Sequence, residues 1–375
     1  MFKREVFYEV HVKGFSMLNK NIAKSKRGKY SALCSPWALK HFKELGVTVI
    51  QIMPIFKNAE DNKGKYWGYG PIDLFNLNPD YGTKKSLTNT IKALESAGFK
   101  VICDVVYNHT GASIKELDYD HTDRYGCGFA VAVNEPDSLK MVKKSISWLL
   151  DDIGFSGLRF DLGACLLREY NGSLNPNSDI IKWLEKTYSK TKIFSAECYD
   201  LHGNYRDLFP DWILRISNSI RDQIRDQKQY VHTKDGLPER NIGFVTCHDG
   251  QTLMDNCTFE GKYNLPNGEN NSDGNNDRKA NNCTIEGFTD NQQVLYWRQA
   301  RADSMLKALQ SYTGHVLLLQ GDVAVTEEGK WYGRMTNTKF GCNNTYCQDN
   351  EMGWVIWDKL SFEELKALQD KLNPL

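Results

Sequence analysis

Eight short apolar runs recur along this chain, and helix-like stretches separate most of them. The runs read "VFYEVHV" (Val6 to Val12), "VTVIQIMPI", "KVICDVV", "GLRFD", "KIFSAE", "ILRISN", "IGFVTCHD" and "HVLLLQGD", of which "ILRISN" is the weakest. "VTVIQIMPI" and "KVICDVV" are continuous and rich in β-branched residues, as strands buried on both faces must be. Between the runs lie amphipathic stretches with terminal signals. "SPWALKHFKELG" offers Ser35 as N-cap, Pro36 at the first helical position and Gly46 as a stop. "SLTNTIKALESAG" reads as a Ser-capped helix ending at Gly98. Parallel strands need crossover connections, and a barrel of such units closes at eight. The pattern predicts an α/β protein, a (β/α)8 TIM barrel, with a doubly wound open sheet as the alternative. No internal repeat, glycine-rich phosphate fingerprint or long linker divides the chain. Residues 1–375 are therefore expected to form one catalytic-sized barrel domain.

Composition narrows the partners. Lys plus Arg (47) equal Asp plus Glu (47), so no net field attracts nucleic acid or an anionic membrane. The ten cysteines show no CxxC pair, and Cys103 and Cys165 sit in apolar runs as buried thiols do. With no secretory signal in "MFKREVFYEV" and no apolar run of transmembrane length, a cytoplasmic location is expected.

Barrel enzymes build their sites where strands end, so the residue closing each run carries the chemistry. Asp104 lies near the end of "KVICDVV", and Asp161, Glu197 and Asp249 close their runs. One acid there is ordinarily a solvated strand end; four would converge on one mouth, where repulsion is costly unless function requires it. A carboxyl pair with separated pKa values can protonate a leaving oxygen and attack an anomeric carbon, as in a retaining glycosidase. Arg159, two residues before Asp161, faces the same side of its strand and is expected to keep Asp161 ionised as nucleophile. Glu197 has no basic neighbour in sequence, so burial is expected to raise its pKa and suit it to general acid work. Metal hydrolysis, the competing use of clustered acids, lacks an HExxH motif or a multi-His cluster.

Four segments, "DVVYNH", "GLRFD", "AE" at Ala196 and Glu197, and "FVTCHD", resemble in order and spacing the signature regions of the α-amylase superfamily, glycoside hydrolase family 13. The resemblance implies Asp161 as nucleophile, Glu197 as acid/base and Asp249 as the acid that binds sugar hydroxyls and stabilises the transition state. It places Tyr69, Asp104, His109, Arg159 and His248 around the sugar before the cleaved bond, with Tyr69 stacking on the ring and Trp67 and Tyr66 packed beneath. "YWGYGPIDLFNLNPDYGT", "NNTYCQDNE" and the Asn-rich tract from Asn264 to Asn282 are similar to the isoamylase and bacterial glycogen-debranching branch. In that branch the tract corresponds to a working loop after the seventh strand. Amides and tight turns suit a neutral polyhydroxylated branch point. Trp183 and Trp297, on helical segments, are expected in the core.

The resemblance also sets expectations of departure. The stretch 107–136 is short for the subdomain usually inserted after the third strand, and 336–375 would extend the barrel C-terminally. The companion β-sandwich domains are expected to be absent. "AECYD" and Val323 differ from the residues usual in relatives, which bears on substrate preference. The implied activity is debranching: retaining hydrolysis of α-1,6-glucosidic linkages in glycogen, starch or limit dextrins. It needs no organic cofactor, and the sequence does not support a calcium site. The alternatives are an α-1,4-glucan hydrolase or 4-α-glucanotransferase acting on maltodextrins, and a catalytically inactive glucan-binding protein. In every case the partner is an α-glucan polysaccharide or oligosaccharide.

Overall fold

The computed structural model describes residues 3–59, 67–120, 129–215, 238–248, 250–261, 270, 281–326, 329–337 and 353–372. Eight parallel strands close into a barrel. They are β1 (Val6–Val10), β2 (Val49–Ile52), β3 (Lys100–Val106), β4 (Gly157–Asp161), β5 (Ile193–Ala196), β6 (Ile213–Arg215), β7 (Asn241–Phe244) and β8 (His315–Leu319). Each strand pairs with its neighbours in sequence, and β8 returns to β1 through Val6↔Val316 and Glu9↔Leu319. All eight apolar runs become barrel strands, including the weak "ILRISN", which contributes three residues. The open-sheet alternative is excluded by this closure.

Register aligns the strand ends at the mouth. Asp104 on β3 lies beside Arg159 on β4, Val106 beside Asp161, and Arg159 beside Ser195 on β5. Acids separated by scores of residues thus share one rim because each lies at or within two residues of a strand end in the same pleated register.

The helices follow their caps. Helix α1 (Pro36–Glu44) starts behind Ser35, whose hydroxyl accepts from the Ala38 N–H at 3.3 Å. Helix α2 (Lys84–Ser96) begins earlier than its sequence suggests: Thr83 is the N-cap and Ser86 the third-position partner of a capping box. Both hydroxylated residues can cap, and only the path of the preceding turn selects between them. Helices α3 (Pro136–Ser147), α4 (Asp179–Tyr188) and α5 (Gln292–Ser311) cover later strands. Trp183 packs partly buried against the core, as expected. Trp297 does not; it is 43% exposed on α5 beside exposed Tyr296, because the buried stripe of that helix runs through Val294, Arg298, Ala302 and Met305.

After β8 the chain forms two antiparallel pairs, Val323–Thr326 with Gly329–Tyr332 and Arg334–Asn337 with Gly353–Ile356, then α6 (Phe362–Leu372). Trp357 anchors this part: its indole N–H donates to the Phe15 carbonyl at 2.6 Å and its ring meets Trp37 edge-on at 4.7 Å. Within 107–136, His109–Thr110 pairs with Phe129–Ala130.

Candidate active site

Arg159 is the centre of the mouth. Its Nη1 donates to both oxygens of Asp104 at 2.9 Å and to Asp161 Oδ1 at 2.8 Å, while Nη2 lies 2.6 Å from Glu197 Oε1. The alternation of β4 puts Arg159 and Asp161 on one face, and the adjoining strands bring the other two acids to the same guanidinium. Asp161 Oδ2 accepts from the Asn108 side-chain amide at 3.2 Å. Leu162, next in sequence, adopts φ 41°, a left-handed backbone uncommon for leucine, and its N–H reaches Glu197 Oε2 at 3.0 Å. The turn after β4 thereby ties the ends of β4 and β5.

A second set of contacts forms the floor. Tyr69 donates its hydroxyl to Asp104 at 2.7 Å, and that oxygen lies 3.2 Å from His248 Nδ1. The Tyr69 and His248 rings stack at 4.5 Å and 20°. Gly68 makes this placement possible: at φ 97° a side chain is strained, and an added Cβ would fall 2.8 Å from the Pro54 carbonyl oxygen. Trp67 is wholly buried beneath, edge-on to His11 at 5.5 Å. His248 is held in turn by Glu9 on β1, which accepts its backbone N–H at 2.8 Å and faces its Nδ1 at 2.9 Å. His109 is buried with its Nδ1 3.1 Å from Asn108 Oδ1, so it adjoins the residue that bonds Asp161.

The structure thus gathers Tyr69, Asp104, Arg159, Asp161, Glu197 and His248 into one bonded array, with His109 alongside. Asp249 lies outside the described residues, as do Tyr66, "NNTYCQDNE" and most of the tract from Asn264 to Asn282. Of the tract's C-terminal end, Asn281 donates its backbone N–H to the Asn256 carbonyl at 3.0 Å, and the Asn282 carbonyl accepts from Arg298.

One sequence expectation is corrected. Burial does raise the Glu197 pKa, but the charges of Arg159 and Arg215 outweigh it and hold the carboxyl down at about 2. Beside the larger effect of Arg159, part of the reversal comes from β6: Arg215 Nη1 is paired with Glu197 Oε1. It is 18 residues away in sequence, so no local reading of Glu197 could include it. Asp104 goes the other way, to about 6, because burial prevails over the attraction of Arg159. Burial likewise opposes ionisation of Glu9, yet His248, with Arg215 and Arg159, holds that carboxyl below its usual range.

Glu9, Asn108 and Arg215 are the site residues that sequence reasoning missed. Glu9 and Arg215 had a signal: each is a charged residue inside a run that must be buried, which calls for a partner. They line, with Gln51, Ser195 and Phe244, a barrel-interior cavity of about 20 Å³. Among the described residues no group of three or more His, Cys, Asp or Glu side chains is arranged to hold a metal ion. No cysteine among them is in a disulfide, and no helix among them is long and apolar enough to cross a membrane.

Residues 36–125 match the family model for the α-amylase catalytic domain. A glycogen debranching enzyme of Klebsiella pneumoniae is 30% identical over 403 residues, covering 94% of this chain and 59% of that protein. The chain is similar to the α-amylase superfamily. Within the superfamily, a GlgX homolog of the glycogen operon of Mycobacterium bovis is 29% identical over 407 residues, covering 94% of this chain and 55% of its own length. The chain therefore spans between half and two thirds of the length of these curated relatives. Among solved structures, a type I pullulanase of Bacillus subtilis complexed with maltose superposes with a TM-score of 0.65 at 18% identity, covering 98% of this chain and 55% of that one. At that identity the likeness is one of fold, and it agrees with the α-amylase-type barrel.

Proposed function

We propose that the chain carries a retaining glycoside hydrolase that cleaves α-1,6-glucosidic branch linkages of glycogen, starch or limit dextrins, in the cytoplasm and without an organic cofactor. The observation that carries the reading is the pairing of Asp161 and Glu197 across one guanidinium, at 2.8 and 2.6 Å. A retaining pair stands about 5–5.5 Å apart and an inverting pair roughly 6.5–9.5 Å, and two acids bonded to one guanidinium favour the closer spacing. Asp161, ion-paired to Arg159 and bonded by Asn108, is oriented to attack the anomeric carbon. As the glycosidic bond breaks, Glu197 gives its proton to the leaving oxygen, and a glycosyl ester forms on Asp161. Water then attacks the anomeric carbon, Glu197 takes its proton, and Asp161 is released. Tyr69, stacked on His248 and bonded to Asp104, is a rigid aromatic face for the sugar ring. Asp249 is assigned to the sugar hydroxyls.

The α-1,6 preference is supported by the relatives named as debranching enzymes and by the wording of the tract from Asn264 to Asn282. Product analysis on pullulan, glycogen and maltoheptaose tests it: the expected products are linear chains from glycogen and maltotriose from pullulan, with maltoheptaose left intact. Cleavage of maltoheptaose with glycogen branches preserved would reject debranching. A Gly/Ser replacement of the tract at equal length is expected to lower glycogen debranching far more than hydrolysis of a small activated α-glucoside.

A further inference from the structure

Arg215 has no part in the reaction above, yet it touches the acid on which that reaction depends. Its Nη1 pairs with Glu197 Oε1, the oxygen that Arg159 Nη2 reaches at 2.6 Å. Glu197 Oε2 accepts the Leu162 N–H at 3.0 Å. Each of these three partners is a donor. A protonated carboxyl needs an acceptor for its O–H, so this arrangement suits only the carboxylate. The two arginines are retained very differently. Arg159 also bonds Asp104 and Asp161. Arg215 has its Nη2 at 2.8 Å from Cys247 Sγ and its guanidinium 4.5 Å over the Phe244 ring, a thiol and an aromatic face. Of the two, Arg215 is the one with least to lose by moving.

We infer that Arg215 is a positioning residue, a retractable clamp that holds Glu197 as a carboxylate and must leave Oε1 before Glu197 can carry a proton to a leaving oxygen. The inference rests on the acid role proposed for Glu197. Other charged or titratable groups face the pair from every side: Glu9 from β1, Asp104 from β3, Asp161 from β4, Tyr199 after β5, and Cys247 and His248 after β7. Arg159 stays in place through its other acids, so removing Arg215 leaves Glu197 with a single guanidinium. The carboxyl should then titrate at higher pH.

Carbon-13 NMR of the chain labelled at glutamate side-chain carboxyls reads this without requiring turnover, with the Glu197 signal assigned by its loss in Glu197→Gln. We expect Glu197 to stay ionised in the parent down to about pH 3, and in Arg215→Gln to titrate at least about one pH unit higher. Arg215→Lys, which keeps the charge, should follow the parent. On an α-glucan, the alkaline limb of kcat/KM should move up by a similar interval in Arg215→Gln. The limb of kcat should move less, because the clamp is already off in the complex. A parent Glu197 that titrates above pH 4.5, or the same titration in Arg215→Gln and parent, overturns the clamp. A moved titration with an unmoved kcat/KM limb overturns its link to the acid step. A parent with no α-glucan turnover at any pH overturns the functional reading, and the NMR result still decides whether the clamp exists.

Discussion

The two sides of the barrel mouth treat a buried carboxyl in opposite ways. On the β3 side, Asp104 is pushed up to about 6; on the β5 side, Glu197 is held down at about 2. Both lie below 10% exposure, and both touch Arg159. Burial therefore acts with the same sign on each. The difference lies in the partners: Asp104 has one guanidinium, shared with two other acids, and the neutral Tyr69 hydroxyl. Glu197 has two guanidiniums and a backbone N–H. Where desolvation and attraction oppose each other, the number of cations and donors in contact sets the direction in which the pKa moves.

The largest test removes the member that both sides frame. Asp161→Asn is expected to reduce α-glucan turnover by roughly 10⁴-fold or more while the melting temperature stays close to the parent, because the amide is nearly isosteric yet not a nucleophile. Activity near the parental level in a folded variant would dissolve the distinction between the two sides as catalytic. Glu197→Gln comes next, with a loss of roughly 10²–10⁴-fold on natural glucans. Its glycosylation step should survive on a substrate whose leaving group needs no proton, and equal losses on both substrates would remove the acid role from the β5 side.

Stability against pH sharpens the contrast, since the two carboxyls have opposite signs. Asp104 has a folded pKa above its ordinary 3.8, so its contribution is present below about pH 4 and is lost as pH rises through 6. Glu197 has a folded pKa below its ordinary 4.5, so its contribution is present above about 4.5 and is lost as pH falls toward 2. Urea unfolding from pH 3 to 7 should show Asp104→Asn flattening the slope between pH 4 and 6, by on the order of 3 kcal/mol at most. Glu197→Gln should flatten the slope below pH 4.5 instead; identical profiles for both variants would contradict the comparison. The smallest effect is Tyr69→Phe, which deletes the hydroxyl donated to Asp104 and is expected to cost about 1–2 kcal/mol in the same unfolding assay. It should also raise the Asp104 titration further, as a donor to the charged form is gone.

Most of this barrel could be read in advance because its signals are local. A strand buried on both faces must be a continuous apolar run, and a helix between two such strands must carry its own cap and apolar stripe, so "KVICDVV" and "SPWALKHFKELG" announced themselves. The errors share a cause. Ser86 and Thr83 both have capping chemistry, and the preceding turn chose Thr83. Trp297 sits on an amphipathic helix whose buried stripe includes an arginine, so its apolar character misplaced it.

The sequence by itself determined that Asp104, Arg159, Asp161 and Glu197 would lie at or near the ends of strands of one parallel barrel, since side-chain alternation follows from periodicity. Only the tertiary structure decided their charges. Arg215 reaches Glu197 from β6, and Glu9 reaches His248 from β1, 239 residues away. A pKa is set by distance through space and by the water that packing removes, and neither quantity is written in the order of residues along the chain.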